Sequence, residues 1–199
     1  MIWNIVDQAI INHSRDLTYL DISIENINST FCNNFFPKLI NLQKLILDGN
    51  SIYDSQLERQ LIFPAYPKLQ VLRLDDVLFL TAKRIIQNTE TNLRIIWTNN
   101  VCFSTSDQPR DFIQIIHQNC PNLKYVKFLL KGRYIEEIEQ LLINCQRLEG
   151  LYIDAEHRNS DRYGDELLNT LIKSAPKNLF KIQLNNFEFK TKNFDSFFY

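Results

Sequence analysis

The chain has 199 residues, of which 45% are hydrophobic and 23% are charged, a composition typical of a folded globular protein rather than a disordered one. Lysine and arginine number 22 against 23 aspartates and glutamates, so the net charge of −1 argues against a nucleic-acid or membrane partner. No run of about 18 apolar residues occurs, and the sequence therefore predicts no membrane-spanning helix.

A repeated pattern, Leu-x-x-φ-x-φ with φ an apolar residue, runs through the whole chain. Its seven copies begin at Leu17, Leu42, Leu69, Leu93, Leu123, Leu148 and Leu179, and the only polar residue at an apolar position is Thr98. Successive first leucines are 24 to 31 residues apart with a mean of 27, which is the period of leucine-rich repeats. Each copy predicts a short parallel strand whose first leucine is nearly fully buried.

Amphipathic patterns between these copies predict helices, because apolar residues recur there at spacings of three and four. The longer patterns cover residues 1–11, 112–116, 135–142 and 167–172, and shorter ones cover residues 30–36, 56–62 and 82–87. Asp107 and Pro109 predict the start of the helix around residue 112, while Asp161 or Asp165 would begin the one around residue 167.

The alternation of parallel strands and helices predicts an α/β fold, a right-handed leucine-rich-repeat solenoid. About seven strands would line its concave face, and the helices would lie on its convex face. We expect residues 1–199 to form a single leucine-rich-repeat domain that is part of a longer array. We also expect the two outermost strands to be sheet edges.

Four cysteines, Cys32, Cys102, Cys120 and Cys145, lie at least 18 residues apart, which argues against both a zinc site and a secreted disulfide scaffold. We therefore expect reduced cysteines, a cytoplasmic or nuclear protein, and no cofactor or metal. Cys120 and Cys145 both stand three residues before a repeat leucine. This shared position predicts buried, unreactive packing rather than catalysis.

The residues around these cysteines carry a resemblance. Cys120-Pro-Asn-Leu123 and Cys145-Gln-Arg-Leu148 each follow a helix pattern, and Tyr66-Pro-Lys-Leu69 is a variant. They resemble the cysteine-containing, ribonuclease-inhibitor-like repeats of F-box proteins, and residues 120–184 resemble those of expanded fungal families. The resemblance implies a substrate-recognition repeat domain of a cullin-based ubiquitin ligase. No F-box is visible in the sequence, so a Skp-type adaptor is implied as a partner only if an F-box lies outside this chain.

The third, fifth and seventh positions of each repeat alternate with the core positions and therefore face the concave side. In the central repeats these positions gather aromatic, apolar and basic residues, as interface hot spots do. The candidate partner-binding residues are Val71, Arg73, Ile95, Trp97, Tyr125, Lys127, Leu129 and Tyr152. The aromatic residues could equally serve to stiffen neighbouring strands, and the pattern leaves both interpretations open.

The sequence thus favours a non-enzymatic protein–protein interaction module with an unknown protein partner on its concave face. A stand-alone ribonuclease-inhibitor-like repeat protein with no link to ubiquitin is the alternative. An enzyme would need a pocket that holds two or more of Asp48, Asp75 and Asp154 beside a base. His117 lies three residues before Cys120, where we expect it to cap helix carbonyls rather than to act as a base.

Overall fold

The computed structural model describes residues 13–23, 34–49, 65–156 and 163–189. The strands in these ranges form one open sheet in the order of the sequence, and every neighbouring pair is parallel. They are β1 (Tyr19–Ser23), β2 (Lys44–Asp48), β3 (Val71–Leu78), β4 (Ile95–Cys102), β5 (Tyr125–Leu130), β6 (Gly150–Ala155) and β7 (Lys181–Asn185). The predicted α/β solenoid with seven parallel strands is therefore confirmed.

The helices described lie between strands, as the repeat pattern predicts. They are α1 (Phe79–Gln87), α2 (Gln108–Asn119), α3 (Ile135–Asn144) and α4 (Gly164–Ser174), with short 3-10 turns at Ser14–Asp16 and Phe36–Lys38. Of the helix expected at residues 30–36, residues 34 and 35 are helical and lead into the second turn, and residues 30–33 lie outside the described ranges. The helices predicted at residues 1–11 and 56–62 also lie outside those ranges. None of the described helices is long and apolar enough to cross a membrane.

The helix starts differ in part from the expectation. Asp107 does precede α2, but its side chain makes no capping hydrogen bond. The helix α4 begins at Gly164 after Tyr163, so the predicted entry at Asp165 is wrong, and the other candidate, Asp161, lies outside the described residues. A Cβ atom on Gly164 would lie 2.1 Å from the carbonyl oxygen of Glu188, so only glycine fits where this helix meets the chain beyond β7.

A regular backbone ladder holds the strands in register, and each strand begins two residues after its repeat leucine. The carbonyl oxygen of Gln43, for example, accepts the amides of both Gln70 and Val71, at 2.8 and 3.0 Å. The carbonyl oxygens of five further residues accept the same pair of hydrogen bonds; these residues are Thr18, Gln70, Arg94, Lys124 and Glu149. Because it joins the same repeat position each time, equivalent residues of neighbouring repeats lie side by side.

The repeat leucines are the centre of the core. Leu42, Leu69, Leu93, Leu123 and Leu148 are all 0% exposed, as expected. Leu17 and Leu179 are only partly buried, so the expectation of near-complete burial is wrong for these two. Both immediately precede the outermost strands of the described sheet, which have a neighbouring strand on one side only.

Cys120 and Cys145 are fully buried and unpaired, which confirms the packing role expected for them. The Cys145 thiol donates to the carbonyl oxygen of Cys120 at 3.4 Å, and burial raises the pKa of Cys145 to about 12. The equivalent buried position is occupied by Ser14, Leu39, Tyr66 and Pro176 in four other repeats, and before Leu93 the buried residue is Thr89, one position earlier. The position therefore requires a residue that can be buried, and not a thiol in particular.

Asparagines link consecutive repeats, a role that the sequence interpretation missed. The side-chain amide of Asn41 donates to the Arg15 carbonyl at 2.7 Å, and that of Asn92 donates to the Pro67 carbonyl at 2.6 Å. Asn122 bonds the Thr91 carbonyl in the same way at 3.1 Å. The available signal was asparagine directly before the repeat leucine in four of the seven copies.

Candidate functional site

The candidate residues of the concave face come together on four adjacent strands, β3 to β6. Val71, Ile95 and Tyr125 are consecutive register partners in one row. Arg73, Trp97, Lys127 and Tyr152 form the next row, and Leu129 lies opposite Asp154 one row further. The eight residues therefore lie in three neighbouring rows on the face opposite the core, in the arrangement that strand alternation dictates.

Two aromatic rings meet over the middle of this surface. The Trp97 and Tyr152 ring centroids are 5.0 Å apart at an interplanar angle of 53°, although strand β5 separates their own strands. Lys127 lies between them in the row, with its Nζ atom 5.5 Å from the Trp97 ring centroid. On the other side, Lys181 Nζ lies 5.4 Å from the Tyr152 ring centroid. Aromatic packing and cation–π attraction thus fix both rings in place.

Gly150 makes this arrangement sterically feasible, and its role was not foreseen. A Cβ atom at this position would lie 2.6 Å from Tyr125 Cδ1 and 3.2 Å from Tyr152 Cε2. The missing side chain lets both rings settle against the sheet. Tyr152 is consequently only 7% exposed, unlike the exposed side chain expected from the sequence, while Trp97 and Tyr125 are half-buried.

Tyr125 is fixed by polar contacts at its far end. Its hydroxyl donates to Glu149 Oε2 at 2.9 Å, and Lys124 Nζ lies 2.6 Å from Glu149 Oε1. The hydrogen bonds from Lys124 and Tyr125 lower the pKa of Glu149, so this carboxylate stays charged. The bond to Glu149 in turn raises the pKa of Tyr125, and the phenol keeps its proton. Tyr125 therefore presents an oriented, neutral ring.

A polar network crosses the concave face beside the aromatic rows. It runs from β3 to β7 through Arg73, Asp75, Asn99, Lys127, Asp154 and Asn185. Asp75 accepts from Arg73 Nε at 2.9 Å and from Asn99 Nδ2 at 2.6 Å. Lys127 Nζ lies 3.1 Å from Asp154 Oδ2 and also bonds Asn99. The network ties five strands together and neutralises the charges it contains.

One register change interrupts the repeat. Asn100, and not Asn99, is the backbone register partner of Asp75, whereas the Asn99 side chain still lies on the concave face, where it donates to Asp75. The β4–β5 pairing covers only Ile95 to Trp97. Beyond that point, the Thr98 hydroxyl donates to the Lys127 carbonyl at 2.9 Å. This bond explains why a polar residue occupies an apolar position of the pattern.

The acidic residues do not converge on a catalytic centre in the described part of the chain. Asp48 and Asp75 are register partners, but Asp154 is three strands away from Asp75, roughly 14 Å across the sheet. Asp75 and Asp154 are already paired with Arg73 and Lys127. Within the described ranges, no three His, Cys, Asp or Glu residues are placed to hold a metal ion.

His117 serves to join helices rather than to cap its own. Asn144 Nδ2 of α3 donates to His117 Nδ1 of α2 at 3.3 Å, which differs from the carbonyl capping expected. Burial lowers the pKa of His117, while nearby Glu137 opposes that change. The imidazole borders an open groove of about 440 Å³, also lined by Gln114, Glu136, Glu137, Glu139 and Gln140.

No family model matches the chain, and no curated protein matches it. Two solved structures are similar to it. A chain of the yeast Rad7–Elc1 complex has a TM-score of 0.56 and 15% identity, over 92% of this chain and 48% of that one. The leucine-rich repeat-containing protein LegL7 of Legionella pneumophila has a TM-score of 0.50 and 16% identity, over 91% of this chain and 61% of that one. This chain thus spans about half to three-fifths of their lengths, and the likeness shows that its fold is a leucine-rich-repeat solenoid.

Proposed function

We propose that this chain is a non-enzymatic protein-interaction module that binds its partner on the concave face of β3 to β6. The observation that carries the proposal is the fixed, half-buried Trp97 between the polar network and Tyr125. Large aromatic side chains held in place before binding lose little conformational entropy in a complex, and such residues dominate interface energetics. Tyr152 supports Trp97 from below, so the stiffening and binding interpretations of these residues are compatible.

The area of the concave face sets a limit on this binding. Seven strands about 4.8 Å apart span roughly 29 Å, and strands of about six residues are roughly 20 Å long, which gives about 580 Å². A standard stable interface buries about 800 Å² on each partner. A stable complex therefore requires contacts beyond the concave face as well.

The finer proposal is a substrate-recognition role in a cullin-based ubiquitin ligase. It is supported by the resemblance of residues 120–184 to F-box repeat regions and by the likeness to a chain solved as part of a two-protein complex. A stand-alone ribonuclease-inhibitor-like role is the alternative. Co-purification of a Skp-type adaptor with the protein as its cell makes it, including any segment outside residues 1–199, separates the two: binding favours the ligase, and its absence favours the stand-alone protein. A reducing compartment, the cytoplasm or nucleus, fits unpaired Cys102, Cys120 and Cys145.

The test of the binding surface compares two aromatic truncations. Proteins that copurify with the wild-type chain are first identified and purified. Their affinities for the wild type, Trp97→Ala and Tyr19→Ala are then measured by calorimetry. Tyr19 is 49% exposed on β1 at a repeat position equivalent to that of Tyr125, so it is the matched control outside the surface. We expect about tenfold or greater loss of affinity for Trp97→Ala and less than about twofold for Tyr19→Ala. Equal affinities for both variants would contradict the proposal.

A further inference from the structure

Positive charge is concentrated along the edge of the sheet where the strands begin. The window from two residues before each repeat leucine to two residues after it contains a cation in all seven repeats. These cations, named here the basic strip, are Arg15, Lys44, Lys68, Arg94, Lys124, Arg147, Lys177 and Lys181. The same windows contain two acidic residues, Asp16 and Glu149, which leaves a net charge of +6 within a chain of net charge −1.

The strip is largely unneutralised. Among its eight members, Lys124 alone has a carboxylate within ion-pair distance in the described ranges, Glu149 at 2.6 Å. Lys68 bonds the amide oxygen of Asn41, and Lys44 lies over the Tyr19 ring. All members except Lys124 are exposed. The charges are therefore available to a partner.

The opposite edge of the sheet behaves differently. Three of its acidic residues are bound within the protein, Asp75 by Arg73, Asp154 by Lys127, and Asp76 by Asn100 at 2.7 Å, whereas Asp48 is exposed. In the basic strip, Lys124 is the one member with such a partner within the described ranges. Neighbouring strands are about 4.8 Å apart, less than the screening length of about 8 Å at physiological salt, so the strip cations repel one another. Carboxylates of a bound partner would relieve this repulsion.

We propose that the basic strip binds an acidic, extended segment of the partner protein. The inference rests on the proposed protein-binding function and adds the chemical class of the partner. The strip is roughly 29 Å long, so an extended segment of about nine residues, at about 3.3 Å per residue, spans it. It borders the row of Val71, Ile95 and Tyr125, and it supplies the additional area that the concave face lacks. A protein fits better than nucleic acid, since the molecule as a whole is not basic.

The test uses a labelled ten-residue polyglutamate peptide as probe, with fluorescence anisotropy at low salt. The strip variant Arg94→Gln/Arg147→Gln/Lys177→Gln is compared with Lys83→Gln/Arg84→Gln/Lys173→Gln, which removes the same charge from helices α1 and α4. We expect the strip variant to weaken binding about tenfold and the control variant less than about twofold, and added salt to weaken wild-type binding. Thermal melts establish that both variants are folded.

Three results would overturn the proposal. They are no binding of the peptide by the wild-type chain, equal weakening in the two variants, and tighter binding of a single-stranded oligonucleotide than of the peptide. Trp97→Ala is expected to bind the peptide within about twofold of the wild type, since the tryptophan lies outside the strip. If Trp97→Ala loses affinity for the partner protein while the strip variant binds the peptide as the wild type does, the concave face remains supported as a binding surface and the role of the basic strip is refuted. If the strip variant binds the peptide more weakly while Trp97→Ala keeps its affinity for the partner protein, the basic strip remains supported and the role of the concave face is refuted.

Discussion

The inner strands β3 to β6 and the outer strands β1 and β7 carry the same sequence pattern but differ in burial. On the inner strands, Leu72, Ile96, Val126 and Leu151 are 0% exposed. The equivalent Leu20 and Ile182 on the outer strands are half-buried. A solenoid repeat buries its apolar face against the repeats on both sides, so the same motif contributes less stability where one neighbour is missing from the described sheet.

On the concave face, too, the inner strands differ from the outer strands. The aromatic pair, Gly150 and most of the polar network lie on the inner strands, whereas β1 presents the exposed ring of Tyr19. Side chains are fixed where strands flank them on both sides. The predictions below test this dependence on position, beginning with the largest expected effect.

A matched pair of leucine truncations tests the core. Leu123→Ala should lower the free energy of unfolding by about 2–5 kcal/mol, because it leaves a cavity among fully buried neighbours. Leu20→Ala should cost roughly 1 kcal/mol, since the half-buried site loses less contact and can collapse or admit water. Urea unfolding measures both values. Equal losses would show that burial on inner and outer strands is energetically equivalent.

The polar network should be worth more on the inner strands than an exposed carboxylate on β1. Asp154→Asn leaves Lys127 without its carboxylate partner and should cost about 1.5–3 kcal/mol. Asp21→Asn, at an exposed position on β1, should change stability by less than about 0.5 kcal/mol. Chemical unfolding measures the loss of unfolding free energy in both variants. A smaller loss in Asp154→Asn than in Asp21→Asn would show that the network does not stabilise the fold.

The inner cysteine should act through packing alone. Cys145→Ala should cost about 1 kcal/mol, the effect of removing one small buried group, and should leave partner affinity unchanged. Because burial raises the pKa of Cys145 to about 12, its thiol should resist labelling at neutral pH in the folded state. Mass mapping should show that the less buried Cys102 is modified before Cys145. Rapid labelling of Cys145 in the native protein would contradict this role.

Tyr66 differs from the other buried residues of the inner repeats because it carries a hydroxyl group without a hydrogen bond to a described residue. Its side chain is 0% exposed, and its hydroxyl has no hydrogen-bond partner among the described residues. Tyr66→Phe should therefore leave stability unchanged or raise it by up to about 1 kcal/mol, because an unsatisfied polar group is removed. Thermal unfolding of the variant is the measurement. A clear loss of stability would indicate that the hydroxyl has a partner in solution.

His117 should give the inner helices a small pH dependence. Burial lowers the pKa of His117 in the folded state below its unfolded value of about 6.5. His117 therefore binds a proton less readily in the folded state than in the unfolded state. Its neutral form contributes fully to the free energy of unfolding above pH 6.5, and this contribution decreases as the pH falls below that value. His117→Gln should reduce the slope of stability between pH 7.5 and 5.5. The matched control is His13→Gln, at an exposed position before β1, and an equal change in slope in both variants would contradict the role of burial.

The sequence by itself determined the positions of all seven strands and the residues that share the two concave rows formed by the third and fifth repeat positions. Leu-x-x-φ-x-φ fixes which side chains face the core, and the backbone ladder then brings equivalent positions together. The buried cysteines and helices α1 to α4 follow from the same pattern. The partner-binding role of Trp97 and its neighbours stays a prediction.

The tertiary structure alone decided how residues from different repeats meet. Nothing in the sequence around Gly150 shows that the rings of Tyr125 and Tyr152 will fill the space above it. The cross-strand contacts of the polar network likewise join residues 24 or more positions apart, and the basic strip gathers cations from all seven repeats. A local pattern sets the direction of each side chain, but contact across strands depends on register, on side-chain length and on the presence of a neighbouring strand. That is also why Leu17 and Leu179 fit the pattern and are nevertheless only partly buried.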